Sequence, residues 1–382
     1  MNTLDSNAQA SFRKRHRLGL VVGKFSPLHL GHEHVIRTAQ ACCDQVLVLG
    51  YSQPAFAGCD RLARQGWIDQ RCPGLINIQL DDAEVARRCM ALGLPFQPMP
   101  ENLAPDAVQQ AYLAWLLQGP VGLRPDAMVG SETYLEPCAH LLSQRLGHEV
   151  SPICVDLHRQ VHPISATRIR SDVHAHAHWL GPQVQQSFVR HIVILGGESS
   201  GKTTLAQALA AQHDTNWVPE YGRERWEQQG GQLTLHDLID IGRIQLEREQ
   251  ALAQSAKHLL FCDTSPLTTL GYAEWMFQQQ PAALIDLAKQ PYDLAVLCRL
   301  DFEFVQDGTR QGEAFSQRQH DWSVHKLSRC GVPWLEVHGS VQARMAQLCA
   351  SPAWRALSTL PLMSPQWPAP APPCPPNSAD GN

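Results

Sequence analysis

The 382-residue chain lacks several things that would settle its class early. No apolar run reaches the length of a membrane span, so a membrane protein is not expected. The basic segment SFRKRHR (Ser11 to Arg17) is followed by only a short apolar run without a small-residue cleavage site, which excludes a secretory signal. Charged residues make up 18% of the chain and the formal net charge is -5, so there is no bulk electrostatic footprint for nucleic acid. The twelve cysteines form no C-x-x-C pair, which argues against a zinc ribbon or a disulfide framework and fits a reducing, cytoplasmic compartment.

What is present is enough apolar sequence, 44%, for two domains with cores of their own. Leu18 to Val22 and Gln45 to Leu49 read as buried parallel strands joined by a helix over His34 to Cys43. A helix including Leu113 to Leu117, a strand at Ala127 to Val129, a helix from Leu135 closed by Gly147 and a strand over Val150 to Asp156 follow. After GPQVQQS the pattern restarts, with strands at His191 to Leu195, His258 to Cys262, Asp293 to Leu297 and Trp334 to Val337, and a helix from Lys202. Alternating strands and helices predict an α/β protein of two parallel-sheet domains. The expected division is a leader over 1–17, domains over 18–184 and 185–350, and a proline-rich disordered tail over 351–382.

The second domain opens on Gly196-Gly197-Glu198-Ser199-Ser200-Gly201-Lys202-Thr203-Thr204, a Walker A pattern between an apolar strand and a helix. Its amides and helix N-terminus suit phosphate oxygens, Lys202 suits the transferring group, and the Thr203 hydroxyl suits magnesium. Asp263 ends another apolar strand, where a carboxylate can hold magnesium or its water shell. Glu220, after Asn216-Trp217-Val218, reads either as a proton acceptor for an attacking hydroxyl or as a surface acid. The stretch Asp301 to Arg318 reads as a lid with Arg310 and Arg318 closing over phosphates, or as an ordinary surface loop. No N-K-x-D guanine signature occurs, so phosphoryl transfer to a small hydroxyl substrate is favoured over a switch GTPase.

The first domain carries VVGKFSPLHLGH at its first strand end. Gly23, Lys24 and Phe25 precede His29-x-Gly31-His32 at a helix start, where two imidazoles can donate to a phosphate and glycine lets the backbone approach it. Nucleotidyl transfer to an existing phosphate needs no strong base, because the attacking oxygen is already anionic. A metal site is disfavoured by the want of a neighbouring carboxylate. Ile164, Ser165, Thr167, Arg168 and Arg170 of ISATRIR suit the β and γ phosphates of ATP. Trp115 and Tyr134 read as core aromatics or ring-stacking platforms, Arg61 and Arg64 as surface arginines or phosphate contacts, and HAHAHW (His174 to Trp179) as an exposed linker.

His29-x-Gly31-His32 with Ile164-Ser165-x-Thr167-x-Ile169-Arg170 resembles the H-x-G-H and I-S-x-T-x-[IV]-R pair of the nucleotidyltransferase superfamily. With a P-loop domain carrying VPEYGRE, DTSPLTT and DGTR, residues 18 to 345 resemble the bifunctional NadR-type enzymes. The resemblance implies an N-terminal Rossmann-like nicotinamide-nucleotide adenylyltransferase and a C-terminal P-loop ribosylnicotinamide kinase. Nicotinamide riboside, nicotinamide mononucleotide, ATP and NAD would be its ligands and Mg2+ its metal. His29, His32, Lys202, Glu220, Asp263 and Arg310 would carry the chemistry, with Thr203 and Asp263 at the metal. The chain departs from the longest members in showing no helix-turn-helix before the first strand, so DNA binding is not expected; a homo-oligomer is left open. A coenzyme A synthase shares the two folds in the same order but not VPEYGRE and DTSPLTT, and a non-catalytic nucleotide sensor sits poorly with intact Lys202, His29 and His32.

Overall fold

A computed structural model describes residues 16–302 and 312–359. They divide into two compact units, one ending at Ser187 and the other starting at Phe188. No helix among the described residues is long and apolar enough to cross a membrane.

The first unit contains β1 (His16–Gly23), α1 (Leu30–Cys42), β2 (Cys43–Tyr51), α2 (Arg61–Arg71), β3 (Ile76–Leu80), α3 (Asp82–Leu92) and α4 (Asp106–Gln118). It continues with β4 (Ala127–Gly130), α5 (Leu135–Leu146), β5 (Ser151–Cys154), α6 (Ala166–Ser171) and α7 (Pro182–Gln185). The strands form one parallel sheet in the order β3-β2-β1-β4-β5. Leu20, Leu47 and Leu49 are fully buried, and Leu20 pairs in register with Leu47 on one side and Met128 on the other. Burying each such side chain contributes about 1.5–3 kcal/mol relative to exposure. The connections leave β1 towards opposite edges of the sheet, and ligands bind at such a switch point beyond the strand ends.

The second unit contains β6 (Arg190–Leu195), α8 (Lys202–Gln212), β7 (Trp217–Val218), α9 (Tyr221–Gln228), α10 (Leu235–Ala253), β8 (Leu259–Asp263) and α11 (Pro266–Phe277). It ends with α12 (Ala282–Ala288), β9 (Leu294–Cys298), α13 (Glu313–Cys330), β10 (Trp334–Val337), α14 (Val341–Ala350) and α15 (Pro352–Thr359). Its sheet is also parallel, in the order β10-β9-β6-β8-β7. Alternate residues of β6 feed different cores: Ile192 and Ile194 pack with Leu205 and Leu209 of α8, Val193 and Leu195 with Leu327 of α13 and Ala253 of α10. Both faces are covered, which is why the strand reads as a continuous apolar run.

Four expectations need correction. His16 and Arg17, assigned to the leader, are the first residues of β1, where the Arg17 and Leu18 amides donate to the Asp126 carboxylate at 2.9 and 2.8 Å. Residues 352–359, assigned to the tail, form α15, and Trp354 packs on Phe261 and His213 in the core. HAHAHW is a turn ending in a short 3-10 helix (Ala177–Trp179), held by buried Val173 and Leu180, instead of an exposed linker. Arg64 is 1% exposed and donates to the Leu80 carbonyl at 2.9 Å, so it is neither a surface residue nor a cavity contact.

Candidate active sites

The first cavity, about 410 Å³, opens at the C-terminal ends of β1 and β4. It is lined by Gly23, Lys24, Phe25, His29, Gly31 and His32 from the first motif. Ile164, Ser165, Thr167 and Arg170 from the second join them, so residues far apart in sequence meet here. His29 caps α1, its Nδ1 accepting the Gly31 amide hydrogen at 3.1 Å. An acceptor Nδ1 fixes the neutral tautomer with its proton on Nε2. The His29 and His32 rings stack with centroids 3.7 Å apart, and Phe25 meets His32 edge-on at 5.1 Å. A side chain at Gly31 would place a Cβ 3.0 Å from His29 Cε1, so glycine keeps the capping ring seated. Burial pushes the His29 pKa far down, and burial with the Arg159 and Arg170 charges lowers His32 to about 3. Both imidazoles are therefore neutral hydrogen-bond donors at neutral pH.

Cationic side chains surround them. Arg170 donates to the Ser26 carbonyl at 2.6 Å and the Thr167 hydroxyl at 3.0 Å, while its guanidinium lies 3.9 Å from the centre of the Phe56 ring. It thereby ties the second motif to the loop after β1. Lys24 donates to the Asn102 carbonyl at 2.8 Å, and burial with the Arg170 charge lowers its pKa. Ser165 caps α6, its hydroxyl accepting the Arg168 amide hydrogen at 3.2 Å. The Arg168 side chain is exposed and does not line the cavity. Tyr134 lines it; Trp115 packs against the core. Arg159 and His162 also line it, although nothing in the sequence singles them out. They are delivered by a loop folded over Asp156, which accepts the Gln160 and Val161 amides at 2.7 and 2.9 Å.

The second cavity, about 460 Å³, lies at the end of β6 and is lined by Gly196, Glu198 to Thr204, Glu220, Asp263 and Gln319. Gly196 and Gly201 have φ of 144° and 82°, the region that favours glycine. Gly197 is a close-approach glycine, since a Cβ there would fall 2.4 Å from the Ser316 carbonyl oxygen. The loop is clamped from α13: Ser316 Oγ donates to the Glu198 carbonyl at 2.6 Å, and Gln319 Oε1 accepts the Glu198 amide at 2.9 Å. Fully buried Arg344 braces it too, donating to the carbonyls of Ser200 at 2.5 Å and Gly339 at 2.9 Å and pairing with Asp301. Lys202 Nζ donates to the Gly197 carbonyl at 3.0 Å.

Thr203 Oγ1 donates to Asp263 Oδ2 at 2.5 Å, while the buried Asp263 Oδ1 has no hydrogen-bond partner. This hydroxyl and carboxylate form a hard oxygen donor set with a spare acceptor atom, which fits magnesium. Burial raises the pKa of Asp263, offset by the charge of Lys202; burial and the nearby Asp263 raise that of Glu220. Glu220 lies in the cavity wall, not on an outer face. Arg318 stands exposed on α13 and does not line the cavity; residues 313–318, read as lid, are the first turns of that helix. Arg310 lies outside the described residues.

Two parallel α/β units, one of them a P-loop unit, each with a cavity at the ends of its central strands, fit an enzyme of nucleotide transfer. A family profile described as an AAA domain matches residues 191–344. The chain is similar to the trifunctional NAD biosynthesis/regulator protein NadR of Salmonella typhimurium and to that of Escherichia coli. It is 28% identical to each over 310 residues, covering 78% of this chain and 72% of the relative. A solved structure of NadR protein in complex with NR superposes with a TM-score of 0.60 at 19% identity, covering 90% of this chain and 94% of that one. Another, in complex with NAD and AMP-PNP, gives 0.54 at 19%, covering 87% and 94%. The resemblance to NadR-type proteins seen in the two motifs thus extends along most of the chain.

Proposed function

We propose that the chain phosphorylates nicotinamide riboside with ATP to nicotinamide mononucleotide, and adenylates the mononucleotide with a second ATP to NAD and pyrophosphate. The observation that carries this reading is the pairing, on one chain, of a neutral histidine pair ringed by Lys24, Arg159 and Arg170 with a P-loop facing the buried Asp263 and the half-buried Glu220. The similarity to NadR proteins and their NR and NAD complexes supports the choice of substrates.

In the first unit the mononucleotide phosphate oxygen would attack the α-phosphorus of ATP, and the bond to the pyrophosphate oxygen would break. His29 Nε2–H and the His32 N–H would donate to the α-phosphate oxygens, stabilising charge at the reacting phosphorus without a proton transfer. Arg170, Ser165 and Thr167 would hold the departing phosphates at the start of α6. In the second unit the riboside hydroxyl would attack the γ-phosphorus. Lys202 and the loop amides would cradle the phosphates, and Glu220, in the cavity wall, would accept the hydroxyl proton. Magnesium, held by Thr203 and Asp263, would neutralise phosphate charge there. Arg310 retains its proposed role of closing over the transferred group.

The test is incubation of the purified chain with magnesium, ATP and either nicotinamide riboside or phosphopantetheine, with chromatographic separation of products. Mononucleotide followed by NAD from the riboside is expected. Conversion of phosphopantetheine alone would replace the reading with that of a coenzyme A synthase, and no conversion of either would leave a binding protein.

A further inference from the structure

On the face of the second sheet turned away from Asp263 lies a cluster that phosphoryl transfer does not use. Successive strand residues point to opposite faces, so Cys262 of β8 faces α10 while Asp263 faces the P-loop. There it meets Glu249 of α10 and His191 of β6, and one ligand atom of each lies within 4.8 Å of the others. His191 Nδ1 stands 3.7 Å from Glu249 Oε2, too far for a hydrogen bond, and is buried without a hydrogen-bond partner. Tyr292, just before β9, donates to both Glu249 oxygens at 3.0 and 3.2 Å.

We propose that His191, Glu249 and Cys262 bind a zinc ion that fastens β6, β8 and α10 together. In a tetrahedral zinc site, neighbouring nitrogen, oxygen and sulfur ligands stand roughly 3.3–3.6 Å apart. The cluster needs side-chain adjustments of about 1 Å to reach that spacing. The donor set is the borderline-soft one that zinc prefers to magnesium. Charge also balances: a thiolate and a carboxylate cancel the two positive charges of the ion, so the buried site is neutral. Binding releases the thiol proton to water, and no other bond changes. Tyr292 would orient the carboxylate from behind, as outer hydrogen bonds do at metal sites. Cys262 and Glu249 are 0% and 1% exposed while the His191 side chain is 16% exposed, so the ion would enter past the imidazole and then be shut from substrate. Its role would be structural, with a water on the His191 side taking the fourth tetrahedral position.

The test is titration of the reduced, chelator-stripped full chain with cobalt(II) in excess magnesium, followed by thermal unfolding with and without zinc. The expected result is a near-ultraviolet thiolate-to-cobalt band saturating at about one equivalent. Zinc at 100-fold over its dissociation constant should raise the unfolding temperature by about 5–10 °C. Cys262→Ser should abolish the band. Tyr292→Phe, which keeps the packing, should lower affinity about 10–100-fold and decides the matter if Cys262→Ser fails to fold. Absence of both band and thermal shift in the unaltered chain would overturn the proposal, leaving a hydrogen-bonded knot around Glu249. So would a band that survives in Cys262→Ser, or an affinity unchanged in Tyr292→Phe.

Discussion

His29 and His32 face the first cavity uncharged because burial and two nearby guanidiniums oppose protonation. The pH profile of mononucleotide adenylation should therefore show no histidine inflection near pH 6.5. Loss of donor geometry through protonation of His32 should begin only as pH approaches about 3. The same shift has a consequence for stability. An unfolded histidine titrates near 6.5, so between about 3 and 6.5 the unfolded state binds more protons and stability falls as the solution is acidified. A steady-state profile of the unaltered chain from pH 5 to 8 checks the first point; an inflection near 6.5 would contradict it. In the second unit, Asp263→Asn removes a carboxylate that accepts from Thr203 and has a spare oxygen for magnesium. Riboside phosphorylation should fall at least about 100-fold while mononucleotide adenylation stays unchanged, measured with each substrate supplied separately.

At the scale of elements, α13 matters more than its sequence suggested. Gln319→Ala removes the acceptor for the Glu198 amide and the donor to Tyr272, loosening the P-loop. The bond to the P-loop, worth about 1 kcal/mol net, predicts a rise of roughly fivefold in the KM for ATP of the kinase reaction. An unchanged KM would mean that Ser316 and Arg344 suffice to hold the loop. Elements were legible wherever an apolar run met a turn: β1, β2, β4, β6, β8, β9 and β10 lie within a residue or two of the expected spans. β3 was not read although INIQL alternates apolar and polar residues as a half-buried strand does, since it is only five residues long, and β7 is only two residues long. The start of α13, residues 313–318, was read as a loop because DGTRQGE carries turn residues up to its first position. Most residues of the two motifs line the cavities, and strand-end glycines and capping hydroxyls are the local signatures that made them legible. Arg159, His162, Gln319 and Arg344 leave none: tertiary packing delivers them, and only their contacts reveal a role. Arg64 failed in the opposite direction, since an arginine on an amphipathic helix reads as solvated until its carbonyl acceptor is seen.

For the whole molecule, the central claim is that two self-sufficient sites on one chain catalyse consecutive steps. Among the described residues, each cavity is lined only by residues of its own unit. The most direct measurement supplies nicotinamide riboside, ATP and magnesium to His32→Ala, to Lys202→Ala and to an equal mixture of both. His32→Ala should accumulate mononucleotide without NAD, because the phosphate under attack loses a donor. Lys202→Ala should leave the riboside untouched yet convert supplied mononucleotide to NAD. The mixture should restore NAD formation from riboside, with free mononucleotide passing between the two proteins. A mixture of folded variants that makes no NAD, while each retains its own half-reaction, would contradict the claim and require a mononucleotide handed over within a single chain.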